Sequence, residues 1–329
     1  MSDTKINFDP NKPMQVGGQA VIEGVMMRAP GSVATAVRRA NGEIVIKKEE
    51  FYTLAEKKKI FKTPIFRGAI GLIEIMILGV RTLNFSADIA MMDLEESKTD
   101  SGKKKTTKPN RNSNWKLALT VIGALAIGIA LFFITPIFVA TKLFHVEQEA
   151  LAFNLISGSV RLLILLIYIT AISFMKDVQR VFQYHGAEHK VVFTYEANSP
   201  LTIEAARVFS RFHPRCGTSF LLIVMLASVF IFSIFDALYI QYIGPMNIFL
   251  RLLTHLPLVP FVGGVAYEFI RLSARKSNTT IGKALVTPGL WLQKITTKEP
   301  TDAQIEVALA ALKSSLAVEE ANALAVEKP

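Results

Sequence analysis

His185-Gly186-Ala187-Glu188-His189 and His213-Pro214-Arg215-Cys216 bring three of the chain's five histidines and its single cysteine into one short stretch. Imidazole, thiolate and carboxylate are the donor types that hold a transition metal. If 176–196 is helical, His185, Glu188 and His189 stand at i, i+3 and i+4, on one face and one turn apart. The order H-x-x-E-H inverts the zinc motif H-E-x-x-H, in which two histidines grip the ion and the glutamate takes a proton from the water it activates. Glu188 is then the candidate base. A third protein ligand would come from His213 or Cys216, which share one loop, with Glu196, Glu204 and Glu23 as alternatives. The ion this set implies is a divalent transition metal, with zinc as the first candidate.

A plainer reading exists for the same residues: a polar juxtamembrane helix whose histidines bond to backbone or head groups. Gly186 also needs a reason, because glycine inside a helix costs roughly 1 kcal/mol against alanine unless close packing demands it.

The elements that must position these groups are largely apolar. The chain has 329 residues, 51% of them hydrophobic, a formal charge of +10, a mean hydropathy of +0.36 and a pI near 9.6. Four stretches, 117–140, 151–174, 219–243 and 246–270, exceed the ~18 apolar residues that mark a membrane-crossing helix. A fifth, 65–80, is interrupted by Arg67 and Glu74 and predicts an interfacial or re-entrant helix. The fold expected is an α-helical integral membrane protein of about four transmembrane helices plus that one interfacial helix, with a small cytosolic unit containing a β-hairpin.

The opening residues MSDTKINFDPNKP lack the features of a secretory signal. Basic residues gather at 57–59, at 103–108, between the second and third spans, and after the fourth at Arg271, Arg275 and Lys276. The expectation is a multi-pass plasma-membrane protein with both termini and the His/Cys loop in the cytosol. One cysteine excludes an internal disulfide framework and suits a reducing compartment. Lysine runs beside spans point to membrane lipids as partners, and no nucleic-acid recognition motif accompanies the charge.

Along the chain, 1–64 reads as a β-rich unit, with Ala40-Asn41-Gly42 between β-branched runs as its hairpin signal. The interfacial helix is expected at 65–92, a disordered basic linker at 93–114, spans one and two within 115–175, the His/Cys loop at 176–218, spans three and four within 219–272, and a tail at 273–329. In the tail, Ile305, Ala308, Leu309, Leu312 and Leu316 form an apolar helical stripe that should pack on the cytosolic unit or a partner. Thr287-Pro288-Gly289 predicts a turn beside Trp291. Glu23, a carboxylate inside an apolar run, calls for a metal or an arginine. Arg161, deep in the second span, calls for Asp236 or Glu74.

The blocks GGQAVIEGVMMRAP, YHGAEHK, RFHPRCGTSF and PGLWLQK, in this order around the apolar segments, resemble those of the bacterial YqhQ-like family, described as predicted metal-dependent membrane enzymes of unknown reaction. The resemblance runs over nearly the whole chain. It implies a metal-dependent membrane enzyme with Glu23, His185, Glu188, His189, His213 and Cys216 in its signature blocks. Zinc peptidases with the inverted motif carry a further glutamate ligand in a large soluble domain, which this sequence does not have.

Three functions follow. The first is a metallohydrolase in which His185, His189, His213, Cys216 and Glu23 supply metal ligands, Glu188 relays a proton and Arg215 or Arg211 steadies negative charge. The second is a scaffold with a structural metal, binding a translocation or ribosome-associated complex. The third makes Cys216 a nucleophile activated by Arg215 and Arg211, with His213 or His189 as base.

Overall fold

The structure, a computed structural model, describes residues 16–54, 63–100, 113–275 and 280–326. The amino-terminal residues before Val16, the basic runs at 57–59 and 103–108, and Lys276 lie outside the described residues.

Four short strands open the fold: β1 (Gly17–Val21), β2 (Gly24–Ala29), β3 (Gly31–Arg38) and β4 (Ile44–Phe51), an antiparallel meander in the order β1-β2-β3-β4. The expected hairpin is the β3–β4 connection. There Gly42 takes φ +90°, a conformation open to glycine at little steric cost, and Asn41 Oδ1 accepts the N–H of Glu43 at 3.0 Å.

Alternation along the strands gives the sheet two apolar faces. Val25, Met27 and Ala36 face α5 (Lys176–Glu196) and α10 (Asp302–Val326), where Tyr184, Ala187, Val191, Ile305, Ala308 and Leu312 complete the largest core. The predicted stripe of α10 is therefore buried against this unit. Each large side chain placed there stabilises by about 1.5–3 kcal/mol. The start of α10 is fixed by Gln304, whose Oε1 reaches back to the Thr301 N–H at 2.8 Å, half of a capping box. The other sheet face, with Val21, Met26, Val33 and Val37, packs on Leu78 and Ile89 of α1 (Phe66–Asp100).

The remaining helices are α2 (Ser113–Ile129), α3 (Thr135–Lys142), α4 (Ala150–Ile172), α6 (Ile203–Arg207), α7 (Gly217–Tyr242), α8 (Ile248–Arg275) and α9 (Thr280–Thr296). A five-residue π segment at 130–134 joins α2 to α3. By length and composition, five stretches among the described residues suit a membrane crossing: Phe66–Glu96, Ile122–Lys142, Ala150–Ile172, Phe220–Tyr242 and Ile248–Ile270. The chain is thus a mostly helical membrane protein with a small antiparallel sheet.

Several sequence expectations need correction. Only the length of the helix expected at 65–80 changes: residues 66–80 belong to an unbroken 35-residue helix. Residues 93–100, expected in a disordered linker, are its last turns: Asp93 binds Arg39 and the Ala40 N–H, which holds the helix to the β3–β4 hairpin. Pro288 lies inside α9 rather than in a turn.

Arg161 meets neither Asp236 nor Glu74. Its Nε donates to the carbonyl of Phe132 at 2.9 Å, and one Nη donates to Ser228 Oγ at 3.2 Å. The reason is Pro136, which has no N–H to give the carbonyl four residues earlier, so in an apolar setting the arginine satisfies that oxygen. Asp236 instead joins α4, α7 and α8. Its oxygens accept from His255 Nε2 and Asn154 Nδ2, each at 2.8 Å, and Arg251 Nε lies 3.3 Å away, all four side chains being buried.

Candidate metal centre

α5 begins after extended Met175 with Asp177 in its first turn, where a carboxylate complements the helix dipole. Its apolar face packs on the sheet and α10, which fixes its rotation and leaves His185 and His189 side by side, ring centroids 4.4 Å apart. Gly186 has its reason here: a Cβ at that position would overlap the carbonyl oxygen of Lys298, where the chain leaves α9 and crosses the helix.

Each imidazole is held by a backbone carbonyl. His185 Nδ1 is 2.9 Å from the Thr296 carbonyl, and His189 Nδ1 is 2.5 Å from that of Arg211. A carbonyl only accepts, so both Nδ1 atoms carry a proton, which in the neutral imidazole makes Nε2 the nitrogen with the lone pair. That is the outer-shell arrangement of metal-binding histidines, which sets tautomer and ring orientation. Cys216, buried at the N-cap of α7, completes the group: Sγ lies 3.2 Å from His185 Nε2 and accepts from the Thr218 N–H at 3.5 Å. Donor atoms of His185, His189 and Cys216 all lie within 4.8 Å of one another. Nitrogen and sulfur donors about 2.1 and 2.3 Å from one tetrahedral ion stand roughly 3.6 Å apart, so the spacing fits a shared cation.

Glu188 lies beside this triad, Oε2 3.5 Å from His189 Nε2, with a side chain only 9% exposed. Burial pushes its carboxyl above the usual range, an effect opposed by His185, His213 and the N–H of Gly18. Among the described residues no lysine or arginine pairs with it. A carboxylate buried beside a cysteine sulfur and two imidazoles, with no lysine or arginine against it, offers donors that a bound cation would balance. Gly18 permits the arrangement, since a Cβ there would sit 2.7 Å from Glu188 Cγ.

The other predicted ligands stand outside the triad. His213 is buried next to His189, ring centroids 5.7 Å apart, but its Nε2 faces Glu196 Oε2 at 3.2 Å and its Nδ1 accepts the Arg215 N–H. Arg215, expected to steady negative charge, pairs with Glu196. Glu23 takes the arginine partner rather than the metal: both its oxygens bind Arg180, and Tyr184 Oη is 3.4 Å away. Glu204 belongs to α6, apart from the triad. Arg211 lies over the Phe212 ring, 4.8 Å from its centroid, and has no carboxylate partner among the described residues.

Sequence reasoning missed Gln293. From α9 it clamps the loop by accepting the His213 N–H at 2.8 Å and donating to the His213 carbonyl at 2.7 Å. The available signal was an amide on the buried side of α9, within the PGLWLQK block. The carbonyls of Thr296 and Arg211 had no signal, because any residue supplies one.

No solved structure matches the chain. It is 35% identical over 317 residues to the uncharacterized protein YqhQ of Bacillus subtilis (strain 168), covering 93% of this chain and 94% of that relative. The model of a family described as protein of unknown function (DUF1385) matches residues 63–318. On both grounds the chain belongs to the DUF1385, YqhQ-like family.

Proposed function

We propose that this protein is a membrane-bound metal-dependent hydrolase whose centre is held by His185, His189 and Cys216, with Glu188 as general base. The observation that carries the reading is the pair of carbonyl-held imidazoles, with His185 Nε2 facing the cysteine sulfur and His189 Nε2 facing the buried Glu188 carboxylate. A divalent transition metal, zinc first among candidates, would supply Lewis acidity and a water of lowered pKa.

The chain's own groups do the rest. Glu188 takes a proton from the attacking water and returns it to the leaving group, a task suited to a carboxyl that burial raises above the usual range. Arg211, without a carboxylate partner, is better placed than Arg215 to meet an anionic substrate. We take the site to face the cytosol, on the strength of the basic residues flanking the spans.

The competing reading is a structural metal in a closed site with His213 as fourth ligand. The pairing of His213 with Glu196 favours the open arrangement instead. The test is Glu188→Gln. Purified in detergent, the variant should retain the wild-type metal content by elemental analysis and lose turnover of ester, phosphoester and amide substrates presented in mixed micelles. Wild-type protein free of stoichiometric metal, or a variant as active as wild type, would sink the proposal.

A further inference from the structure

From the packing of α1 we infer that this helix does not cross the bilayer but lies in its head-group layer, one face on the sheet and the opposite face in lipid.

The first argument is parity. Three apolar helical stretches separate β4 from α5: α1, the α2–α3 stretch and α4. Each crossing moves the chain to the other side. Yet β2 and β3 share a continuous core with α5, in which Val25, Met27 and Ala36 meet Tyr184, Ala187 and Val191. An even number of crossings must therefore lie between them, so at least one of the three stretches does not cross.

Length identifies which. From Leu78 to Asp93 α1 is committed to the sheet. Leu78 packs on Met26 and Val33, and Ser86 Oγ accepts the Ile22 N–H at 3.3 Å. Ile89 packs on Val21 and Val37, and Asp93 binds Arg39. A helix covered by a sheet whose outer strand carries exposed Lys47, Lys48 and Glu50 is not in hydrocarbon there. The remaining part, 66–77, spans only about 18 Å, short of the ~30 Å apolar thickness. It is also tied to one end of α8, through Arg67 with Glu268 and Gly68 against Gly264.

The exposed surface names the occupant. Ile73, Met76, Ile77, Val80, Leu83 and Met91 are all exposed and fall on one side of α1, opposite the sheet-facing stripe of Leu78, Thr82, Ser86 and Ile89. Arg81 and Asp88 border one edge of the apolar side, and Asn84 lies within it. A helix with protein on one face, apolar residues on the other and a polar margin is built for the boundary between head groups and acyl chains. Because β1 rests on α5 and its Gly18 N–H binds Glu188, this helix also fixes the height of the site above the bilayer.

The test uses the full-length protein with single cysteines added, the parent chain with buried Cys216 giving the background. Asn41→Cys, Asp88→Cys and Glu204→Cys should all react with a membrane-impermeant maleimide from the same side of oriented vesicles. Nitroxides attached at Met76→Cys and Met91→Cys should report depths within about 5 Å of each other. A crossing helix would separate them by about 22 Å. Labelling of Asp88→Cys from the side opposite Asn41→Cys, or a depth difference near that larger value, overturns the inference.

Discussion

Replacing Gly186 by alanine reverses the usual sign of a glycine substitution in a helix. Helix propensity alone favours alanine by about 1 kcal/mol. Here the new methyl overlaps the Lys298 carbonyl oxygen, and ordinary contact at 3.4 Å is reached only if the crossing segment withdraws. The withdrawal needed is about 1 Å. Overpacking of this kind costs about 1–3 kcal/mol. Carried two residues back to Thr296, it stretches the 2.9 Å bond that orients His185 past the range of a hydrogen bond, a further loss of about 1 kcal/mol. The net expectation is a destabilisation of about 1–3 kcal/mol together with a 10- to 100-fold loss of metal affinity, the usual effect of removing an orienting partner. Thermal unfolding of the detergent-solubilised protein with and without chelator measures the first, and competition with a metal-binding dye measures the second. If Gly186→Ala proves more stable than wild type and binds metal unchanged, the crossing segment does not position His185 and the reasoning fails.

Asp236→Asn removes the carboxylate paired with buried Arg251 and should destabilise the bundle by about 3–5 kcal/mol, partly recovered when Arg251→Met is added; denaturant titration of both variants in bicelles decides, and a neutral single substitution would refute the role of this pair as a tie between spans. His213→Ala should lower metal affinity by less than tenfold whereas His185→Ala abolishes stoichiometric binding, because His213 Nε2 is engaged by Glu196; equal losses in equilibrium dialysis would place His213 among the ligands.

Features with a short-range signature were legible in the sequence. Asn41-Gly42 marked a hairpin because few residues accept that backbone conformation, and Ile305 to Leu316 marked a buried helix face through their spacing. His185, Glu188 and His189 were readable as one face for the same reason. What escaped depends on groups that every residue carries or on partners far away in the chain. The carbonyls of Thr296 and Arg211 orient the two imidazoles, yet no residue type announces them. Arg161 suggested a carboxylate, and the oxygen it meets is exposed to it by a proline on another helix. Gly186 looked like a weak point in a helix because Lys298 approaches from more than a hundred positions away. The Pro288-Gly289 pair resembled a break, and the helix passes through it.

The core beneath the histidines joins β2 and β3, near the beginning of the chain, to α10, near its end. During synthesis the strands emerge long before Ile305, Leu309 and Leu312 exist to cover them, and contacts between such distant segments form late. The apolar helices between must therefore enter the bilayer while the water-exposed half is still open. The apolar face of α5 is covered only once α10 has been made, after every membrane-length stretch of the described residues, so the order of translation itself delays closure of this core until those helices can already be seated in the membrane.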